Sequence, residues 1–100
     1  MISSKERRVI FEQALVSESN SQERCLWMSF CDTEKPKGQQ FIGVVITHAK
    51  GIAHAIDKTH KLGINPGGEV FSYETDATDI DLAHFDILLS KEDLITAGYV

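Results

Sequence analysis

The chain has little of what marks a specialised composition. It holds 2 cysteines, 2 prolines and 7 glycines in 100 residues. That excludes a disulfide-dense scaffold, a collagen-like repeat and a Pro/Gly-rich low-complexity chain. It has no apolar run near the ~18 residues that a membrane-spanning helix needs. The opening stretch MISSKERRVIFEQALVSES is charged and has no continuous apolar segment, so it does not read as a secretory signal. Basic residues are not in surplus either, because the net charge is −5. Bulk nucleic-acid binding rests on Lys and Arg neutralising phosphates, so this balance argues against it. The expectation is of no bulk nucleic-acid partner and no membrane partner.

What is present is ordinary in amount and uneven in placement. Hydrophobic residues make up 42% and charged residues 25%, the profile of one folded domain. Residues 1–50 carry seven Lys and Arg against six Asp and Glu, whereas residues 51–100 carry three against nine. The acidity therefore gathers in the second half, mostly after residue 68.

Hydrophobic spacing gives the element order. Ser3 and Glu6 form a capping-box pair, and Ile10, Phe11, Ala14 and Leu15 then recur at helical spacing, so a helix is expected over about 4–17. Residues 17–23 are polar and read as a linker. This divides the chain into an N-terminal helix and linker, 1–23, and a single α+β domain, 24–100. A strand over 24–31 puts Cys25, Trp27, Ser29 and Cys31 on one face and Leu26, Met28 and Phe30 on the other. Pro36 and Gly38 punctuate a turn. A second strand, Phe41–Thr47, is apolar on both faces and is expected inside the sheet, in a hairpin with the first. The gap at Gly43 is expected to be filled by a neighbour such as Trp27.

A helix over about 50–62 follows, with Ile52, Ala55, Ile56, Thr59 and Leu62 as its apolar stripe. Its opposite face carries Lys50, His54, Asp57, Lys58 and Lys61. Gly63 and Ile64 fit a left-handed helix stop, and Pro66 prevents continuation. A third strand is expected over 69–75. An acidic loop follows over 76–81, then a segment that is either a short strand or irregular over 82–89. Ser90 and Asp93 cap a last helix at about 91–97, ending at Gly98. The fold expected is α+β: a small antiparallel or mixed sheet of three to four strands, covered by helices on one face. The other face would stay partly exposed in a monomer, which predicts a homo-oligomer, the chain's partner being itself.

The cysteines lie six residues apart on a strand, roughly 20 Å at ~3.3 Å per residue. A disulfide spans about 4.4–6.8 Å between Cα atoms, so the two cannot pair with each other. Free thiols suit a reducing compartment, and the expected location is cytoplasmic.

The stretch from Trp27 to Glu74 resembles a group of short, uncharacterised bacterial proteins. The resemblance rests on the aromatic strand, Phe41-Ile-Gly-Val-Val-Ile, a helix with His60, and Gly63-Ile-Asn-Pro-Gly-Gly-Glu-Val70. It covers about half of the chain, the last motif is its specific part, and it implies no activity or catalytic residues.

That last motif is also the most singular feature by physical reading. Paired glycines permit a close approach of backbone or ligand, and successive free N–H groups can form an anion-binding nest. It is neither a Walker loop nor a dinucleotide fingerprint, because its glycines follow a helix and precede a strand. Beside it, Lys50, His54, Lys58 and Lys61 make a positive stripe in an acidic protein, and His48 ends the strand before them. The site expected is therefore a ligand site of Asn65, Gly67, Gly68, His48, Lys50, His54, Lys58 and Lys61. Its ligand would be a small nucleotide-like or phosphate-bearing anion, held by a non-enzymatic module that sequesters it. The alternative is a protein-interaction or regulatory module using the apolar sheet face or the first helix.

Other chemistries fit less well. His54 and His60 stand ~240° apart on a helix, so no metal site is expected. Asp76, Asp79 and Asp81 lack the spacing and the glycine of a calcium loop. Cys31, His48 and an acid could be assembled into a nucleophilic set, but no spacing selects them. No catalytic residue and no cofactor is expected.

Overall fold

The computed structural model describes residues 4–100, so the capping box expected from Ser3 lies outside the described residues. The elements are α1 (Ser4–Glu18), β1 (Arg24–Cys31), β2 (Phe41–Ala49), α2 (Ile52–Lys61), β3 (Glu69–Glu74), β4 (Leu88–Leu89) and α3 (Lys91–Ala97). Two single turns of 3₁₀ helix, Ala77–Asp79 and Leu82–His84, separate β3 from β4. The chain is a small α+β fold whose four-stranded sheet runs in the order β3-β1-β2-β4, with every named pair antiparallel. β1 and β2 form the expected hairpin and occupy the two inner positions.

Strand alternation divides the core into two layers, because successive side chains leave a strand on opposite faces. On one face Leu26, Met28, Phe30, Val45 and Ala49 are buried with Ala55 of α2. On the other, Cys25, Trp27, Val44 and Ile46 are buried with Ile80, Leu89 and Leu94. Met28, Phe30, Val45 and Ile46 show no accessible surface. Helix α2 is thus the cover of the first face.

The second face corrects the expectation of an exposed sheet. Residues 76–100 fold back over it as a strap. The strap is pinned by the 3₁₀ turns, which Asp76 and Asp81 cap through the backbone N–H groups of Thr78 and Ala83. Its end is closed by α3, where Ser90 and Asp93 make a full capping box and Gly98 takes the left-handed C-terminal position. Tyr99 packs edge-on against Trp27, with ring centroids 6.0 Å apart, and its hydroxyl accepts from the Asp81 N–H at 2.9 Å. The strap buries Cys25 and Trp27 at the centre of that face, while Phe71 and Tyr73 of β3, on the same face, stay 60% and 57% exposed.

Two local expectations are also corrected. What presses on Gly43 is β4 and not Trp27: a Cβ there would meet the Leu88 side chain and the Leu89 carbonyl, both at 2.9 Å. Trp27 is on the opposite face, because Gly43 pairs with Phe30. On α2 the buried residues are Ala53, Ala55 and Thr59, whereas Ile52 and Leu62 remain 39% and 52% exposed. Ala53 gains its burial at the contact with α1, which the helical stripe did not anticipate.

Candidate functional site

The site grows from the β2–α2 junction. His48 ends the exposed side of β2, Lys50 and Gly51 turn the chain, and α2 leaves with His54, Asp57, Lys58 and Lys61 along one side. His48, Lys50, His54, Asp57, Lys58 and Lys61, together with Glu23, Ala49 and Leu62, line a hollow of about 400 Å³. That volume suits a small ligand. All five basic residues expected on the strand end and the helix face — His48, Lys50, His54, Lys58 and Lys61 — meet there.

The lysines are positioned by hydrogen bonds. Lys50 Nζ donates to the Ser19 carbonyl at 2.9 Å, and Lys58 Nζ donates to the His48 carbonyl at 3.0 Å. Lys58 also lies 3.5 Å from a carboxylate oxygen of Asp86, and Lys61 lies 2.8 Å from Asp57 one helical turn earlier. A carbonyl partner holds an ammonium in place without supplying a counter-charge. The Lys61 pair is exposed and worth a few tenths of a kcal/mol at ~0.3–0.5, so a ligand anion can displace it. His48 is exposed and stacks on Phe85, centroids 4.8 Å apart.

Asp86 does not line the hollow but holds Lys58 from outside it. It is the one non-glycine with positive φ (59°) among the described residues. Such a conformation is uncommon outside glycine, although Asp tolerates it better than most. Three bonds hold it: its N–H donates to the Ile46 carbonyl at 2.9 Å, and its carboxylate accepts from Thr47 Oγ1 at 2.6 Å and pairs with Lys58.

The free N–H groups at the start of a helix attract anions, and α2 begins beside the hollow. Here the protein supplies the anion itself. The Glu18 carboxylate, at the end of α1, accepts from Ala53 N at 3.0 Å and His54 N at 2.9 Å. The same group lies 2.9 Å from His54 Nδ1. Burial works to raise the Glu18 pKa, but the backbone N–H groups of His54 and Ala53 and the His54 ring outweigh it and hold it below the ordinary value. Gly51 makes room, since a Cβ there would sit on the Glu18 carboxylate. α1 is thereby docked on α2, and the start of α2 is already occupied by the chain's own carboxylate.

Asn65, Gly67 and Gly68 are not brought into this hollow. Asn65 clamps the corner: its Nδ2 donates to Thr59 Oγ1 at 3.1 Å and its Oδ1 accepts from Gly67 N at 2.9 Å. The main-chain donor of Gly67 is therefore used inside the fold, as are those of Gly63 and Ile64, which bond to His60 and Thr59 carbonyls. Both glycines of the pair have positive φ, 83° and 79°. Gly68 is needed for a second reason, because a Cβ there would collide with the Cys31 carbonyl at the end of β1. Gly68 borders a different depression, lined by Asp32, Glu34 and Glu69, which is acidic and unfavourable to an anion. The expected meeting of glycine corner and cationic wall is thus corrected to a cationic wall alone.

The thiols are placed apart from this chemistry. Cys31 pairs with Phe41 and His48 pairs with Cys25, at opposite ends of the β1–β2 ladder. Cys31 and His48 are therefore separated by roughly 20 Å of strand. Cys25 is buried, and its thiol pKa is pushed up by burial and by the charges of Asp76 and Glu74, which disfavours a nucleophilic thiolate. Both cysteines are free. Among the described residues no group of three or more His, Cys, Asp and Glu is placed to hold a metal ion. Among the same residues no helix is long and apolar enough to cross a membrane.

Sequence reasoning missed Glu18, Glu23 and Asp86. Glu18 gives no local signal, because its partners lie 35 and 36 residues away. Asp86 gives only the faint signal of a residue type that tolerates positive φ. Comparison with protein-family models, curated proteins and solved structures finds no match to this chain.

Proposed function

We propose that the hollow at the β2–α2 junction binds a small phosphate-bearing anion and does not turn it over. The observation that carries this reading is the convergence of His48, Lys50, His54, Lys58 and Lys61 on one concavity of an acidic protein. Lys50 and Lys58 are held at fixed points by carbonyl oxygens, so little side-chain freedom is lost when a phosphate arrives. Lys61 and His48 lie nearer solvent and close on the ligand. Asn65, Gly67 and Gly68 serve the fold and not the ligand. Two free thiols suit a reducing compartment, and we place the protein in the cytoplasm.

The test is thermal unfolding against inorganic phosphate and a panel of nucleoside mono-, di- and triphosphates, with chloride at matched ionic strength. A ligand at one hundred times its Kd adds about 2.7 kcal/mol. The expected result is a saturable rise in Tm that Lys58→Gln combined with Lys61→Gln reduces at least tenfold in apparent affinity. No rise from any member at millimolar concentration, or an equal rise in the double variant, overturns the reading.

A second reading has an observation of its own. On α1, Val9, Ile10 and Val16 are 45%, 53% and 71% exposed, an unusual amount of aliphatic surface for one helix. This favours a protein-docking role for α1. Val9→Glu with Val16→Glu separates the two readings: it should leave phosphate binding unchanged and abolish any partner capture.

A further inference from the structure

The two edges of the sheet differ. The β4 edge is two residues long, a length that by itself discourages further pairing. The β3 edge is six residues long, Glu69-Val-Phe-Ser-Tyr-Glu74, and among the described residues its outer side has no strand partner. It contains neither Lys nor Pro, and its only charges, Glu69 and Glu74, stand at its two ends, so the four residues between carry none of the groups that usually guard an edge. Phe71 and Tyr73 on this strand are 60% and 57% exposed. They point to the same face as Trp27, on which Tyr73 stacks at 5.9 Å.

We propose that β3 pairs antiparallel with β3 of a second copy, across a two-fold axis at Ser72, joining two four-stranded sheets into one. This surface is separate from the ligand hollow and does not depend on it. The register follows from the ladder. Thr75 N–H donates to the Cys25 carbonyl, so odd-numbered residues of β3 turn their backbone groups toward β1. Val70, Ser72 and Glu74 therefore turn theirs outward. A symmetric antiparallel pair must set outward residues against outward residues. The register about Ser72 uses all three within the strand: Ser72 meets its own copy, and Val70 meets Glu74 of the other chain. Phe71 then faces Tyr73 of the other chain, twice, at non-hydrogen-bonded positions where side chains approach most closely.

Charge is compatible with the same register. Glu74 faces Val70 and Glu69 faces Thr75, so no two carboxylates oppose each other, and Arg24 lies 3.9 Å from Glu74 within each chain. Four half-exposed rings would be covered, on the order of 500 Å² of ring surface. Backbone pairing adds to this, and the total falls below a standard permanent interface. The dimer is accordingly a weak one, filling at roughly 100 μM chain and emptying near 1 μM.

Sedimentation velocity from micromolar to millimolar concentration tests this, with circular dichroism to check each variant's fold. The wild-type chain should pass from monomer to dimer. Ser72→Pro removes an outward donor at the axis and leaves the β1 bonds intact, so it should stay monomeric throughout. As a second measurement that survives any misfolding of that variant, Ser72→Cys in a Cys31→Ser background should form a disulfide-linked dimer under mild oxidation. Hydrogen-bonded antiparallel partners have Cα atoms about 5.5 Å apart, within disulfide range. Val70→Cys in the same background should not link, since its own copy would lie roughly 13 Å away. A wild-type monomer at every concentration, linkage at position 70 in place of 72, or a dimer that Val9→Glu with Val16→Glu abolishes and Ser72→Pro does not, overturns the proposal.

Discussion

At its C-terminal end α2 is finished by the residues that directly follow it; at its N-terminal end it is finished by a side chain from another helix. The C-terminal end uses Gly63 in the left-handed region, Ile64 bonded back to Thr59, and Asn65 tied to both Thr59 and Gly67. The N-terminal end has no side-chain cap from its own Gly51 and takes the Glu18 carboxylate instead. The first arrangement is local, covers the crossover from α2 to β3 and leaves no charge at stake. The second joins two elements through a charged group and occupies the N-terminus of α2 with the chain's own carboxylate. Local closure fixes shape, whereas borrowed closure couples shape to chemistry.

The comparison can be broken most sharply at the local end. Gly68→Ala combines a left-handed backbone with a collision at the Cys31 carbonyl, which is main chain and cannot move aside cheaply. We expect a loss of about 3 kcal/mol in chemical denaturation. Gly67→Ala meets open space and should lose only about 1 kcal/mol, the cost of its positive φ. Equal losses at the two positions would show that the approach to Cys31 is not what demands glycine.

The borrowed end should be weaker to disturb but coupled. Glu18→Ala leaves the first N–H groups of α2 without their acceptor and is expected to lose about 2 kcal/mol. Gly51→Ala pushes the Glu18 side chain aside, so it should reproduce most of that loss, and the double variant should lose little more than either alone. Additive losses would separate the two residues and undo the coupling.

The smallest effect is in pH. Glu18 has a folded pKa held below its ordinary value of 4.5. A depressed carboxyl contributes stability that is fully present above the unfolded pKa and is lost as pH falls through the folded one. Stability should therefore decline below about pH 4.5 in wild type more steeply than in Glu18→Gln. Parallel acid profiles for the two proteins would place the acid sensitivity elsewhere, with Asp93 of the α3 capping box the next group to examine.

How much of this the sequence disclosed follows the same division. Period-2 alternation in β1 separated Cys25 and Trp27 from Leu26, Met28 and Phe30, and these are the two core layers. Gly63, Gly98 and the Ser90–Asp93 box were legible because a cap and its partner lie within a few residues. The basic face of α2 was legible because helical spacing alone gathers His54, Lys58 and Lys61; Lys50, expected on the same helix, instead lies in the turn before it. The sequence misled at Gly67 and Gly68, where paired glycines suit an open nest and a tight crossover equally well. It was silent on Glu18 and on the strap over Trp27, whose contacts span 35 and 72 residues of chain. Such contacts leave no periodic trace.

The lone tryptophan has a practical consequence. Trp27 is 9% exposed and lies between Tyr73 of the open sheet edge and Tyr99 of the chain's last residues. One fluorophore thus borders both the C-terminal strap and the margin where a second molecule would join. Its emission wavelength would register peeling of the terminus as a red shift, with no dye attached, and quenching by added iodide would show when either side had opened.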